Sequence, residues 1–171
     1  MKTKTIAIAA MLILPVLQSC SILRGPPELP DTQKPARSVA IRLHAGPNLN
    51  AGANKQPFAL AVRIYKLRQP TAFQRMPFDA FLSMHSEREL LGNDLLEVKE
   101  VMLIPNQRYE MLEKVTREAY YIGVVALFRA PSTDRWRITV PAADAEKSGI
   151  TIGLHACAIS TGDSLVPVHC D

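Results

Sequence analysis

Seven side chains in this sequence are of the types that make nucleophiles, metal ligands and disulfides: Cys20, Cys157 and Cys170, and His44, His85, His155 and His169. Their spacing supports little catalysis. The H-x-C and H-C steps at 155–157 and 169–170 match no standard zinc pattern, and the chain has no G-x-S-x-G, H-E-x-x-H, C-x-x-C or phosphate-cradling glycine loop. Cys157 and Cys170, 13 residues apart, read best as a disulfide, with a Cys-His metal site and two free thiols as the alternatives. The histidines are scattered, and for the three on predicted strands, His44, His155 and His169, solvent-facing positions suffice. Asp79, Glu87, Glu89, Asp94, Glu97 and Glu100 interleave with Arg88 and Lys99, which describes a solvated face rather than paired catalytic acids. Trp136 between Arg135 and Arg137 reads as a core ring flanked by outward arginines. No catalytic residue, resident metal or cofactor is expected.

Cys20 has a different chemistry, set by its position. Lys2 and Lys4 precede a mostly apolar run at 6–17, and Leu17-Gln18-Ser19-Cys20 follows at once, which is the order of a secretory signal peptide. The run is too short to span a bilayer, which takes about 20 residues. A small residue followed by cysteine resembles the bacterial lipobox, in which the thiol is diacylated and becomes the first residue of the mature chain. Residues 1–19 are therefore expected to be removed, with Cys20 carrying a covalent lipid whose two acyl chains give a stable anchor. Ser21 in place of Asp is similar to lipoproteins sorted to the outer membrane, and the periplasm permits disulfides.

The remaining arithmetic describes one folded domain. With 171 residues, 47% hydrophobic and 21% charged, the chain can bury a real core and is not disordered. Its net charge of +4 falls to +2, 18 basic against 16 acidic side chains, once Lys2 and Lys4 leave with the leader. Nucleic-acid binding thereby loses its compositional support. Residues 20–37 contain Pro26, Pro27, Pro30 and Pro35 without apolar periodicity. They read as a linker that reaches roughly 50 Å at about 3.1 Å per residue, leaving 38–171 as the domain.

Within that domain the dominant period is two. Val39, Ile41 and Leu43 alternate with Arg42 and His44, and Phe58, Leu60, Val62 and Ile64 alternate with Arg63 and Tyr65, as in half-buried antiparallel strands. Residues 46–57 between them are rich in Gly, Asn and Pro and longer than the usual strand connection. Residues 71–91 break the pattern: Pro77 suits a first helical turn, and Phe78, Phe81 and Leu82 make one apolar face. Strands resume at 95–104, 107–115, 120–128 and 136–140, and a terminal pair at 150–158 and 165–170 is joined by a turn at 160–163. Eight strands with a helical insertion predict an all-β, two-sheet sandwich.

Several segments carry a resemblance in order: the lipobox, F-A-L-A-V-R-I-Y-K-L at 58–67, Ala72-Phe73, L-G-N-D-L at 91–95, V-M-L-I-P-N-Q at 101–107, and Y-I-G-V-V-A-L-F-R-A-P-S-T-D-R-W-R-I-T-V-P at 121–141. Together the series resembles the TssJ (SciN-like) family of outer-membrane lipoproteins of bacterial type VI secretion. Each piece also has a physical reading: Gly92 stops a helix, and Asn106 stands where the family has glycine because Asn tolerates a left-handed turn. The resemblance implies a transthyretin-like β-sandwich with a short helical insertion, lipid-anchored at the periplasmic face of the outer membrane. It implies a non-enzymatic role, binding the periplasmic C-terminal domain of TssM within a TssJ-TssL-TssM membrane complex. It also implies a partner-binding loop between the first two strands, which falls on Gly46, Pro47, Asn48, Leu49, Asn50, Ala51, Gly52, Ala53, Asn54, Lys55, Gln56 and Pro57. Leu49, the one large apolar residue there, is the expected exposed anchor. The competing reading is a periplasmic metal- or small-ligand-binding lipoprotein using His155, His169 and the terminal cysteines.

Overall fold

The computed structural model describes residues 27–52, 55–162 and 170. The leader, Cys20, Ala53, Asn54, His169 and nearly all of the expected strand 165–170 lie outside them. Among the described residues eight strands form two four-stranded sheets that share one core. The first sheet has the order β4 (Arg108–Val115), β1 (Arg37–Ala45), β7 (Ile150–Leu154), β8 (Ile159–Thr161). The second has β3 (Leu95–Leu103), β2 (Leu60–Leu67), β5 (Tyr121–Ala126), β6 (Arg137–Pro141).

β1 alternates strictly between buried and half-exposed positions, placing Val39, Ile41 and Leu43 against Leu60, Val62, Ile64, Val124 and Ile152. Its neighbours depart from the all-antiparallel expectation: β4 is antiparallel to it, but β7 is parallel, with His44 opposite Gly153. β7 is reached through a helix that the sequence pattern does not announce. α3 (Ala142–Ser148) carries the chain from the edge of the second sheet to the first and buries Ala142 and Ala145, so that β7 enters beside β1 as a distant segment of the chain and not as its hairpin partner. Pro141 before it and Gly149 after it, at φ 71°, are its stops. Among the described residues the last strand is at 159–161, overlapping the expected turn, and the expected strand at 165–170 lies outside them.

β2 does not alternate. Arg63 and Tyr65, expected outward, are buried, because the helical segment covers the outer face of the second sheet. That segment comprises α1 (Thr71–Arg75), a 3-10 turn at Phe78–Leu82 entered through Pro77, and α2 (Met84–Leu91). Phe73 and Phe81 stand 5.4 Å apart, ring centre to ring centre, and lie 5.1 and 5.9 Å from Tyr65. Phe73 fits only because position 123 is glycine: a Cβ there would sit 2.6 Å from the ring. Leu82, expected on this apolar face, is 58% exposed.

Ser83 caps α2, its Oγ accepting from the Ser86 N–H, and Gly92 ends it at φ 50°. Asn106 takes the left-handed φ of 65° in the β3–β4 turn. On the side where β3 and β4 form the sheet edges, Lys66 of one sheet bonds Glu113 of the other at 2.8 Å, with Glu97 on Lys66 at 2.8 Å and Lys99 on Glu113 at 3.1 Å. Burial works against charge on both Lys66 and Glu113, yet their mutual bonds win, holding the lysine pKa above and the carboxyl pKa below its ordinary value.

Candidate interaction surface

The register of β1 separates the two ends of the sandwich. Arg37 lies opposite Val115, and His44 lies opposite Arg108. Nine residues at about 3.3 Å each put the two ends roughly 30 Å apart. Residues of the proline-rich segment are fastened at the Arg37 end. Tyr120 Oη donates to Asp31 Oδ2 at 2.6 Å, Arg117 Nε donates to the Pro35 carbonyl at 2.9 Å, and Lys34 bridges Glu28 and Asp31. The linker expected to supply reach alone thus ends in a 3-10 turn, Asp31–Gln33, bound to the domain.

The loop at 46–57 occupies the opposite end. Gly46 N–H donates to the Leu154 carbonyl, Asn50 N–H to His155, and Phe58 N–H to Leu49. Leu49 is 0% exposed and belongs to the core, which corrects its expected role as an exposed anchor: the loop folds its one large apolar side chain inward, as burial free energy dictates. Asn50, 4% exposed, completes the fastening, its Nδ2 donating to the Ala59 carbonyl and its Oδ1 accepting from Arg129 N–H. Pro47, Asn48, Lys55, Gln56 and Pro57 remain exposed, with Ala51 and Gly52 half-buried. The loop therefore presents a short polar tip on a rigid base.

Beside that tip a cleft of about 670 Å³ opens on the outer face of the first sheet, lined among others by His44, Asn48, Arg108, Gly153, His155 and Ser160. His155 Nε2 lies 2.8 Å from Ser160 Oγ, and burial lowers the pKa of this imidazole. Local pattern does not reveal this grouping, because strand register assembles it. The one sequence signal is Gly153 inside a strand, a residue that marks close approach.

The other chemistry-bearing residues do not converge. His85 stands alone on α2, pointing outward, 3.9 Å from Glu89. Cys157 and Cys170 are joined in a disulfide, which removes both sulfurs from any ligand set. Among the described residues no three His, Cys, Asp or Glu side chains gather where they could hold a metal. Glu87, assigned to a solvated face, is buried against Arg63 at 2.6 Å, and Glu100 holds the same guanidinium at 2.7 Å. Trp136 is buried as expected, but the Arg137 guanidinium lies over its ring and bonds the Phe73 and Met76 carbonyls.

Residues 37–157 match the family model described as "Type VI secretion lipoprotein, VasD, EvfM, TssJ, VC_A0113". The chain belongs to that family. It is similar to the type VI lipoprotein TssJ1 of Pseudomonas aeruginosa, at 30% identity over 78% of this chain and 100% of that one, with a TM-score of 0.66. Two further likenesses, under 25% identical, show the fold alone. Lip of Serratia marcescens, described as a membrane bound component of the system, is 21% identical over 74% and 98% of the two chains, with a TM-score of 0.66. A chain in the structure described as "T6SS protein TssM C-terminal domain" from EAEC is 20% identical over 77% and 99%, with a TM-score of 0.61. No curated protein matches. As a type VI secretion lipoprotein, the chain is a non-enzymatic component of that system, lipid-anchored at the periplasmic face of the outer membrane.

Proposed function

We propose that this lipoprotein docks the type VI membrane complex to the outer membrane by binding the periplasmic C-terminal region of TssM. Residues 1–19 direct export and are removed, Cys20 takes the lipid, 20–37 links it to the domain, and 38–171 form a transthyretin-like sandwich. The tip of the loop at 46–57 meets the partner. The observation that carries this reading is polarity: the segment leading to the lipid is fastened at the Arg37 end, and the loop stands roughly 30 Å away at the other, on a base held by Leu49 and Asn50. An anchor and a partner surface at opposite ends let one small domain bridge outward from a membrane. A chain of this fold in a structure of the TssM C-terminal domain supports that choice of partner.

The test is affinity of the full chain, in detergent, for the periplasmic C-terminal domain of the TssM encoded beside it. Replacing the exposed tip, Pro47, Asn48 and 55–57, with Gly-Ser sequence while keeping Leu49 and Asn50 should weaken binding at least tenfold. Unchanged affinity would move the interface away from this end.

A further inference from the structure

The cleft beside the loop has a composition that selects its ligand. One register row crosses all four strands of the first sheet: Arg108 on β4 lies opposite His44 on β1, His44 opposite Gly153 on β7, and Gly153 opposite Ser160 on β8. All four positions face away from the core. Gly153 makes the floor, since a Cβ there would lie 2.4 Å from Ser160 Oγ and 3.1 Å from His155 Nε2; with no side chain, the His155 ring crosses it to meet Ser160. Gly46 continues the hollow toward the loop. Around this floor stand one fixed positive charge, two imidazoles, the amides of Asn48 and Asn106 and the hydroxyls of Thr151 and Ser160, and no described residue lining it is acidic. In the next outward-facing row Glu110 lies opposite Arg42, and neither is in the lining.

A hollow rich in donors, carrying positive charge and, among its described residues, lacking a carboxylate, is matched by a carboxylate. Its rim shares Pro47 and Asn48 with the exposed loop tip, so whatever meets the tip also reaches the cleft. The geometry points to this cleft as a specificity pocket that takes an acidic side chain from an Asp- or Glu-containing segment of the protein partner, with Arg108 as its charged clasp and Gly153 as its floor. This rests on the docking role proposed above and adds the chemistry of recognition to it. The arrangement makes partner choice depend on charge in the cleft as well as on shape at the loop.

Two substitutions test the pocket without touching the loop. Arg108→Gln removes the fixed charge from an exposed strand position, and Gly153→Val fills the floor; Arg42→Gln, two residues along the strand from His44, is the control. With the full chain in detergent and the TssM C-terminal domain as probe, Arg108→Gln and Gly153→Val should each weaken binding about tenfold. Arg108→Gln should also flatten the salt dependence, and Arg42→Gln should stay within about twofold. Loss on loop replacement with wild-type binding by Arg108→Gln would overturn the pocket and leave the docking role standing. If the wild type does not bind that domain, the docking role fails by itself and the pocket is judged by NMR. The ring signals of His44 and His155 should then shift on adding a blocked Asp-Glu-Asp peptide, and should not in Arg108→Gln. Absence of that shift, or an equal response to free succinate at the same concentration, would overturn an acidic protein segment as the ligand.

Discussion

Arg63 and Glu87 meet at 2.6 Å beneath the helical segment, the one 8% and the other 2% exposed. Arg63 is additionally held by Glu100 and by the Phe81 carbonyl. Glu87 reaches across from α2, so this pair fastens the helical cover to β2. Removing the arginine alone strands a buried carboxylate. Arg63→Met should therefore destabilise the domain by about 3–5 kcal/mol, and Arg63→Met with Glu87→Leu should recover a large part of that loss. Urea midpoints of the two variants check this; a double variant no more stable than the single would show that the ion pair is not what holds the cover.

Gly123 makes a second fastening possible by leaving room for Phe73. Gly123→Ala puts a methyl 2.6 Å from a ring that is packed against Tyr65 and Phe81. The ring has no open space to yield into, so the cost should be about 1–3 kcal/mol. Near-ultraviolet circular dichroism should lose the aromatic signature of the cover before the β-sheet signal falls.

The charge cluster on the β3–β4 side makes stability depend on pH in a defined direction. Glu113 has its pKa depressed in the fold, so its contribution is complete above the ordinary carboxylate value of about 4.3 and is lost as pH falls through the lower folded value. Lys66 has its pKa raised, so its contribution is complete below about 10.4 and is lost as pH rises through the higher folded value. Glu113→Gln should be less stable than wild type near neutrality, and the gap should narrow below about pH 4. A gap of constant size from pH 7 to pH 3 would contradict the assignment.

The disulfide closes a loop of sequence separation 13 at the end of the chain. Chain-entropy reasoning values such a closure at about 3 kcal/mol. Replacing both cysteines by serine should lower the urea midpoint accordingly while leaving the two sheets folded, since their shared core is built from strand and helix residues between Val39 and Ile159.

Much of this architecture was legible because it is local. β1 carries its burial in its alternation, and Gly92 and Asn106 carry their left-handed backbone in their residue types. What was not legible depends on neighbours distant in sequence. Arg63 and Tyr65 look solvent-facing until α1 and α2 fold over them. Leu49 looks exposed in a polar loop until the sandwich closes on it. α3 is too short and too evenly alanine-rich to show a period, so neither the crossover nor the parallel β1–β7 pair could be read. The cleft has no linear motif at all: its row of Arg108, His44, Gly153 and Ser160 exists only through register.

Membrane fractionation tests the tether in cells. The TssM C-terminal region should be recovered with the outer membrane when this lipoprotein is present. That association should be lost both in Cys20→Ser, which removes the proposed lipid site, and in the loop-tip replacement, with protein levels unchanged. TssM that stays with the outer membrane in either variant would contradict the account.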